Sequence, residues 1–282
     1  MYKQITILGP GLLGASLAMA IKDRMPESRL VVWSRSSKNR AKSLQEKWCD
    51  ATFDKPEDAV LDSDLVVVCT PVESIVPLLE RIEKNLGVTT LVTDVGSTKN
   101  QICQAASKIL VKGATFVGSH PMAGSELKGM DNAKADLFEN AACILTPTTT
   151  DVSEASNSLR TFWQAIGMHV TEMAPDKHDE VVAHISHLPH LLASTLCSYL
   201  ANQTPALGEL SGPGLRDTTR VAAGDPDLWQ QILQQNTEAI LRAIEGYEVA
   251  LQAFKATLQQ SDSDKTKRLL RLGKKYRDSL NK

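Results

Sequence analysis

Short apolar runs alternate with longer amphipathic segments through the first 172 residues. Runs at Gln4–Leu8, Leu30–Trp33, Leu65–Cys69, Thr90–Thr93, Thr115–Val117, Ala142–Leu145 and His169–Glu172 have the length and composition of buried strands. Segments of helical periodicity separate most of them, the first from Leu12 to about Ile21. Such alternation predicts βαβ units and a mostly parallel sheet, which binds ligands beyond the carboxyl ends of its strands. The turns after Leu8, Cys69 and Thr93 would meet there. Past Glu172 the strand signal stops and the pattern is helical. The chain therefore divides into an α/β half over residues 1–174 and an all-α half over 175–282. The last long helix has a clear start, with Gly224 ending the preceding segment, Asp225 as N-cap and Pro226 in the first helical position. Its apolar residues Ile240, Ile244, Tyr247, Leu251, Phe254 and Leu258 form a heptad-like seam, packed either within the chain or against a second copy. The charged stretch from Asp262 to Lys282 reads as a solvated helix or a frayed tail.

With 282 residues and 42% hydrophobic content, the chain has ample material for a core. A net charge of −2 gives no footprint for nucleic acid or an anionic membrane. No apolar run approaches the roughly 18 residues that span a bilayer, and the N-terminus leads directly into a strand. The five cysteines form no C-x-x-C pair and read as buried thiols, so a cytoplasmic protein is expected.

Gly9-Pro10-Gly11-Leu12-Leu13-Gly14 fits G-x-G-x-x-G, between a strand and a helix as that motif requires. Gly9 permits the turn, Gly11 lets the backbone approach a pyrophosphate, and Gly14 lets helix and strand pack closely. Leu12 and Leu13 open the helix whose N-terminus would hold the pyrophosphate, and Thr70-Pro71 follow the strand ending at Cys69. The α/β half is thus a Rossmann-type dinucleotide-binding domain. Where an NAD enzyme usually carries an acid, this chain has Ser34, Arg35 and Ser36, with no acid before Glu46. An arginine between two serines suits a 2′-phosphate, so NADP is expected over NAD. The other reading is a surface arginine beside a helix-capping serine.

Of six histidines, four lie between His178 and His190. Histidine can take a proton near neutral pH, which a redox cofactor often requires of its partner residue. Five segments in order complete the picture: the glycine motif, Thr93-Asp94-Val95-Gly96-Ser97-Thr98-Lys99, Gly118 to Glu126, Ser186-His187-Leu188-Pro189-His190 and Arg216-Asp217-Thr218-Thr219-Arg220. Together they resemble the prephenate/arogenate (cyclohexadienyl) dehydrogenases of tyrosine biosynthesis, from residue 3 to about 258. The resemblance implies a Rossmann domain, a helical dimerisation domain and a homodimer. It also implies oxidative decarboxylation of prephenate to 4-hydroxyphenylpyruvate, or of arogenate to tyrosine.

In that chemistry, hydride leaves C4 of a cyclohexadienol, the hydroxyl proton goes to a base and CO2 departs as the ring becomes aromatic. Aromatisation drives the reaction, so orientation and one proton acceptor are the main needs. The resemblance makes His120 the base, held on a loop by Pro121 and Gly124. It places Ser97 by the hydroxyl, where it could also cap a helix. It assigns Arg220 to a substrate carboxylate, with Arg216 four residues earlier able to pair or steer. His190 would contact substrate, and Pro189 would kink the helix that also carries His187. His187 is either a substrate ligand or a structural residue. Asp179, beside His178, is placed at the substrate site or orienting a histidine. Two alternatives stand beside this reading: a hydroxyacid dehydrogenase of similar plan, and a metal enzyme using His187-x-x-His190 with His178 and Asp179. No thiol cluster supports the metal reading, and no metal is expected.

Overall fold

The computed structural model describes residues 2–111, 113–124, 127–148, 153–203 and 206–280. Among the described residues, nine strands run in chain order: β1 Gln4–Leu8, β2 Arg29–Trp33, β3 Ala51–Phe53, β4 Leu65–Val68, β5 Leu91–Asp94, β6 Thr115–Phe116, β7 Gly118–Pro121, β8 Ala142–Thr146 and β9 His169–Glu172. The first six form a parallel sheet ordered β3-β2-β1-β4-β5-β6. β7, β8 and β9 form a second sheet, in which β7 runs antiparallel to β8 and β9 parallel to it. This is a Rossmann-type domain followed by a helical one.

Between the strands lie α1 Leu12–Arg24, α2 Ser37–Ser43, α3 Pro56–Ala59, α4 Val72–Ile82, α5 Asn100–Ile109 and α6 Ser153–Ala165. The rest is helical: α7 Pro175–Val182, α8 Leu188–Ala201, α9 Ala206–Glu209, α10 Pro213–Thr219, α11 Pro226–Gln235, α12 Thr237–Gln259 and α13 Ser263–Ser279. Among the described residues, no helix is long and apolar enough to cross a membrane.

The parallel sheet is covered on both faces, which is why its strands read as unbroken apolar runs. Ile5, Ile7, Leu65 and Val67 join one core with α1, Phe138 and Trp163, while Leu8, Val66 and Val68 join a second with α4 and α5. Each such side chain removed from water contributes about 1.5–3 kcal/mol. The core of the helical domain is smaller, built on Ala183, Leu188, Ala239, Ile240 and Ala243.

Four local expectations are revised. β3 was not anticipated, because it is a three-residue edge strand with no fully buried position. β7 was missed because Gly-Ser-His-Pro carries no apolar signal, although all four residues are buried. His120 therefore sits on a strand opposite Ile144 rather than on a loop. The long C-terminal helix breaks at Asn236, whose non-helical backbone ends α11 while its side chain is used elsewhere. Its seam divides accordingly: Ile240 is buried within the chain, whereas Leu251 is 53% and Leu258 68% exposed. Pro189 does not break the chain's helical path. The turn Ala183–His187 widens into a π-helix that runs directly into α8, and Pro189, which has no N–H to donate, falls in the first turn of α8.

Candidate active site

β1 delivers the chain into Gly9, whose φ of +104° favours glycine and whose N–H donates to the Trp33 carbonyl (3.0 Å). A Cβ on Gly14 would overlap the Gly9 carbonyl oxygen, so helix α1 packs on this turn only as glycine. Gly11, the N-cap of α1, has no side-chain cap and open space where its Cβ would stand. Leu12 and Leu13 open the helix, leaving its N-terminal N–H groups available to a phosphate. Across the turn, Thr70 packs against Gly9 with its buried Oγ1 lacking a hydrogen-bond partner, and Pro71 caps α4 beside it. An orphaned hydroxyl beside an open glycine turn suits a dinucleotide. At the end of β2, Ser34 is buried and accepts from the Ser36 N–H (3.3 Å). Ser36 is the N-cap of α2, accepting from the Asn39 N–H (3.3 Å), and Arg35 is exposed.

The second part of the site is a chain of buried side chains. His120 Nδ1 lies 2.8 Å from His178 Nε2, and His178 Nδ1 lies 2.8 Å from Asp179 Oδ1. β7 supplies His120, and α7 supplies the other two. The carboxylate of Asp179 also accepts the N–H of Lys99 (2.7 Å) and of Asn100 (2.9 Å), at the start of α5. Asp179 is thus the side-chain cap of α5. Its oxygens accept these two N–H groups and face His178, which places it to orient the histidines. Ser97, half-buried on the loop before α5, does not fill that capping role.

These contacts assign the protons. An ionised carboxylate only accepts, so His178 carries its proton on Nδ1 and offers a lone pair at Nε2. His120 must then donate through Nδ1, leaving its Nε2 unprotonated. Burial, reinforced by His178, Lys99 and His187, pushes the His120 pKa well below the usual histidine value. The pKa of His178 is also lowered, chiefly by burial and against the opposing pull of Asp179. Both rings are neutral at pH 7.

Lys99 and Asp94, each with a side chain of 0% exposure, form an ion pair beneath this chain. Asp94 also accepts from the Gly96 N–H (2.8 Å) and its backbone carbonyl from the Ser119 hydroxyl (2.7 Å). The pair therefore ties the loop after β5 to the strand carrying His120. Asn236 closes the far side: its amide donates to the Asp179 carbonyl (2.7 Å) and to His187 Nδ1 (3.1 Å). His187 must then hold its proton on Nε2, a buried atom with no partner among the described residues. Burial lowers its pKa to about 4. Asn236 and Trp229 carry no motif signature; Asp94 and Lys99 lie in the segment Thr93 to Lys99, whose sequence does not disclose that they pair.

His190 stacks flat on Trp229, ring centroids 3.5 Å apart and 7° between planes, and hydrogen-bonds the Val221 backbone. That backbone follows Arg220, so His190 is joined to the arginine segment. Arg216 on α10 and Arg220 just after it are exposed, roughly one turn apart. A cavity of about 580 Å³ beside His190 is lined by Leu191, Trp229, Leu233 and Ile240. Its lining holds no cation, so it does not suit a dicarboxylate. Among the described residues, no group of three His, Cys, Asp or Glu is placed to hold a metal ion.

Two family models cover this architecture. "Prephenate dehydrogenase, nucleotide-binding domain" matches residues 17–172, and "Prephenate dehydrogenase, dimerization domain" matches 174–272. The chain belongs to the prephenate/arogenate dehydrogenase family. A prephenate dehydrogenase of Bacillus subtilis (strain 168) is 34% identical over 99% of this chain and 76% of its own length. The crystal structure of an A. aeolicus prephenate dehydrogenase with hydroxyphenyl propionate and NAD+ matches with a TM-score of 0.92 at 28% identity, covering 99% of this chain and 98% of that one. A Synechocystis arogenate dehydrogenase structure matches at 0.86 and 30% identity, over 98% and 99% of the two chains. This family member is an oxidoreductase that uses a nicotinamide cofactor.

Proposed function

We propose that the protein carries out the NADP-dependent oxidative decarboxylation of prephenate or arogenate, with His120 as the proton acceptor. The observation that supports this most is the hydrogen-bonded series His120–His178–Asp179, which leaves a neutral imidazole with one lone pair for a proton. The nicotinamide ring, when bound, supplies the acceptor for hydride from C4. Gly9, Gly11, Leu12, Leu13, Gly14, Thr70 and Pro71 hold the dinucleotide, and Ser34, Arg35 and Ser36 receive the 2′-phosphate.

His120 Nε2 takes the C4 hydroxyl proton as the C–O bond gains double-bond character. The C1–carboxylate bond then breaks, CO2 leaves, and the bond's electrons make the ring aromatic as a phenolate, whose oxygen takes the proton back from His120. The intervening imidazolium is stabilised through His178 by the Asp179 carboxylate. Ser97 donates to the same hydroxyl. The buried Nε2–H of His187, without a partner among the described residues, donates to the substrate, with His190 beside it. Arg220, steered by Arg216, pairs with a carboxylate of the substrate.

The division at residue 174 follows the change from strands to helices. The exposed end of the α12 seam and the matched dimerization-domain model support a homodimer. The deciding experiment is a two-by-two comparison of kcat/KM for prephenate and arogenate with NADP and NAD. The reading expects turnover of at least one substrate and about a tenfold or greater advantage for NADP, the size of one charged hydrogen bond. No turnover of either substrate would overturn the proposed reaction. An equal or better result with NAD would overturn the assignment of Arg35.

A further inference from the structure

Beyond Arg35, a second arginine stands at the end of β2. Arg40, in the middle of α2, folds back so that its Nη1 donates to the Ser34 carbonyl (2.6 Å). It is half-buried, and no carboxylate among the described residues pairs with it. Nearby Lys42, by contrast, is taken up by Asp131. One donated hydrogen bond leaves the guanidinium four further N–H groups. The anchoring carbonyl belongs to Ser34, which occupies the position where an acid would hold the ribose hydroxyls. Ser34 Oγ already accepts from the Ser36 N–H, so its own proton is free to be donated outward.

We propose that Arg40 is a specificity-determining residue that binds the cofactor's 2′-phosphate together with Arg35. The two play different parts. Arg35 is exposed and must be drawn in from solvent, so its contact is screened by salt. Arg40 is held in place before the ligand arrives, so little side-chain entropy is lost on binding. A guanidinium fixed in this way offers two parallel donors to a phosphate, which a lysine does not.

This inference rests on the NADP reading above, and the test separates the two. Dissociation constants for 2′-AMP and 5′-AMP, measured by calorimetry, isolate phosphate recognition from turnover and from the nicotinamide. The unaltered protein should bind 2′-AMP more tightly. Arg40→Met should weaken 2′-AMP about tenfold while changing 5′-AMP less than about twofold. Arg40→Lys, which keeps the charge and protects against a folding defect, should recover only part of the loss. If the unaltered protein prefers 2′-AMP and Arg40→Met leaves that preference intact, the Arg40 assignment falls while the NADP reading stands. If Arg40→Met weakens both ligands equally, Arg40 only supports the Ser34 loop and the proposal is overturned. No preference for 2′-AMP in the unaltered protein would overturn both.

Discussion

The dinucleotide turn and the histidine series are built by opposite means. The turn is made of backbone: Gly9 holds a positive φ, Gly14 admits the helix, and Gly11 leaves room for a ligand. Side chains contribute little beyond the orphaned Thr70 hydroxyl. The histidine site is made of buried side-chain polarity drawn from four separate segments, around residues 94–99, 118–120, 178–190 and 236. One region is intolerant of a single added carbon, and the other of a single unpaired charge. The contrast predicts which substitutions cost folding, which cost turnover and which cost cofactor binding.

The largest effect is expected at the buried ion pair. Lys99→Met leaves the Asp94 carboxylate without its cation in a site of 0% exposure, and removing one partner of such a pair costs about 3–5 kcal/mol. Chemical denaturation measures this directly; a loss under about 1 kcal/mol would show that the pair is not desolvated as described. Next comes His120→Asn, which keeps the fold and cofactor affinity but should lower kcat on the order of a hundredfold or more, the usual size of general base catalysis. Turnover within about threefold of the parent would remove His120 from the role.

At the turn, Gly14→Ala should cost about 1–3 kcal/mol as helix and strand are forced apart, with a matching loss of dinucleotide affinity. Its kcat at saturating cofactor should change far less than that of His120→Asn, which is the contrast at its sharpest. Unchanged cofactor binding in Gly14→Ala would show that the turn yields without cost.

The smallest effect is a dependence on pH. Burial depresses the pKa of His120, His178, His187 and His190. The unfolded chain takes up these protons near pH 6.5, before the folded chain does, so stability must fall as pH drops below that value. For His187 the loss runs from about 6.5 down to about 4. The protein should melt at a lower temperature at pH 5 than at pH 7.5; equal melting temperatures would mean that the rings are solvated.

The same contrast explains what the sequence disclosed. The parallel strands and the glycine turn were legible because both depend on local rules: continuous apolar runs for strands covered on two faces, and glycines at fixed spacing for close approach. β7 was not, because Gly118-Ser119-His120-Pro121 is buried through its partners rather than its composition. The role of Asp179 as the cap of α5 was equally hidden, since a helix usually takes its cap from its own chain neighbours and this one lies about 80 residues away. Asn236 fell inside an apparently continuous helical pattern, and only its two long-range hydrogen bonds explain the break. Local periodicity carries no record of such contacts.

The central claim is that Asp179, acting through His178, fixes the proton of His120 on Nδ1 and leaves Nε2 as the base. Nitrogen-15 chemical shifts of the histidine rings in uniformly labelled protein at pH 7.5 test it most directly, with His120→Asn and His178→Asn identifying the signals. The account predicts a neutral His120 protonated on Nδ1, changing its tautomer balance when His178 is replaced. A neutral His120 protonated on Nε2, or a charged ring at that pH, would contradict it.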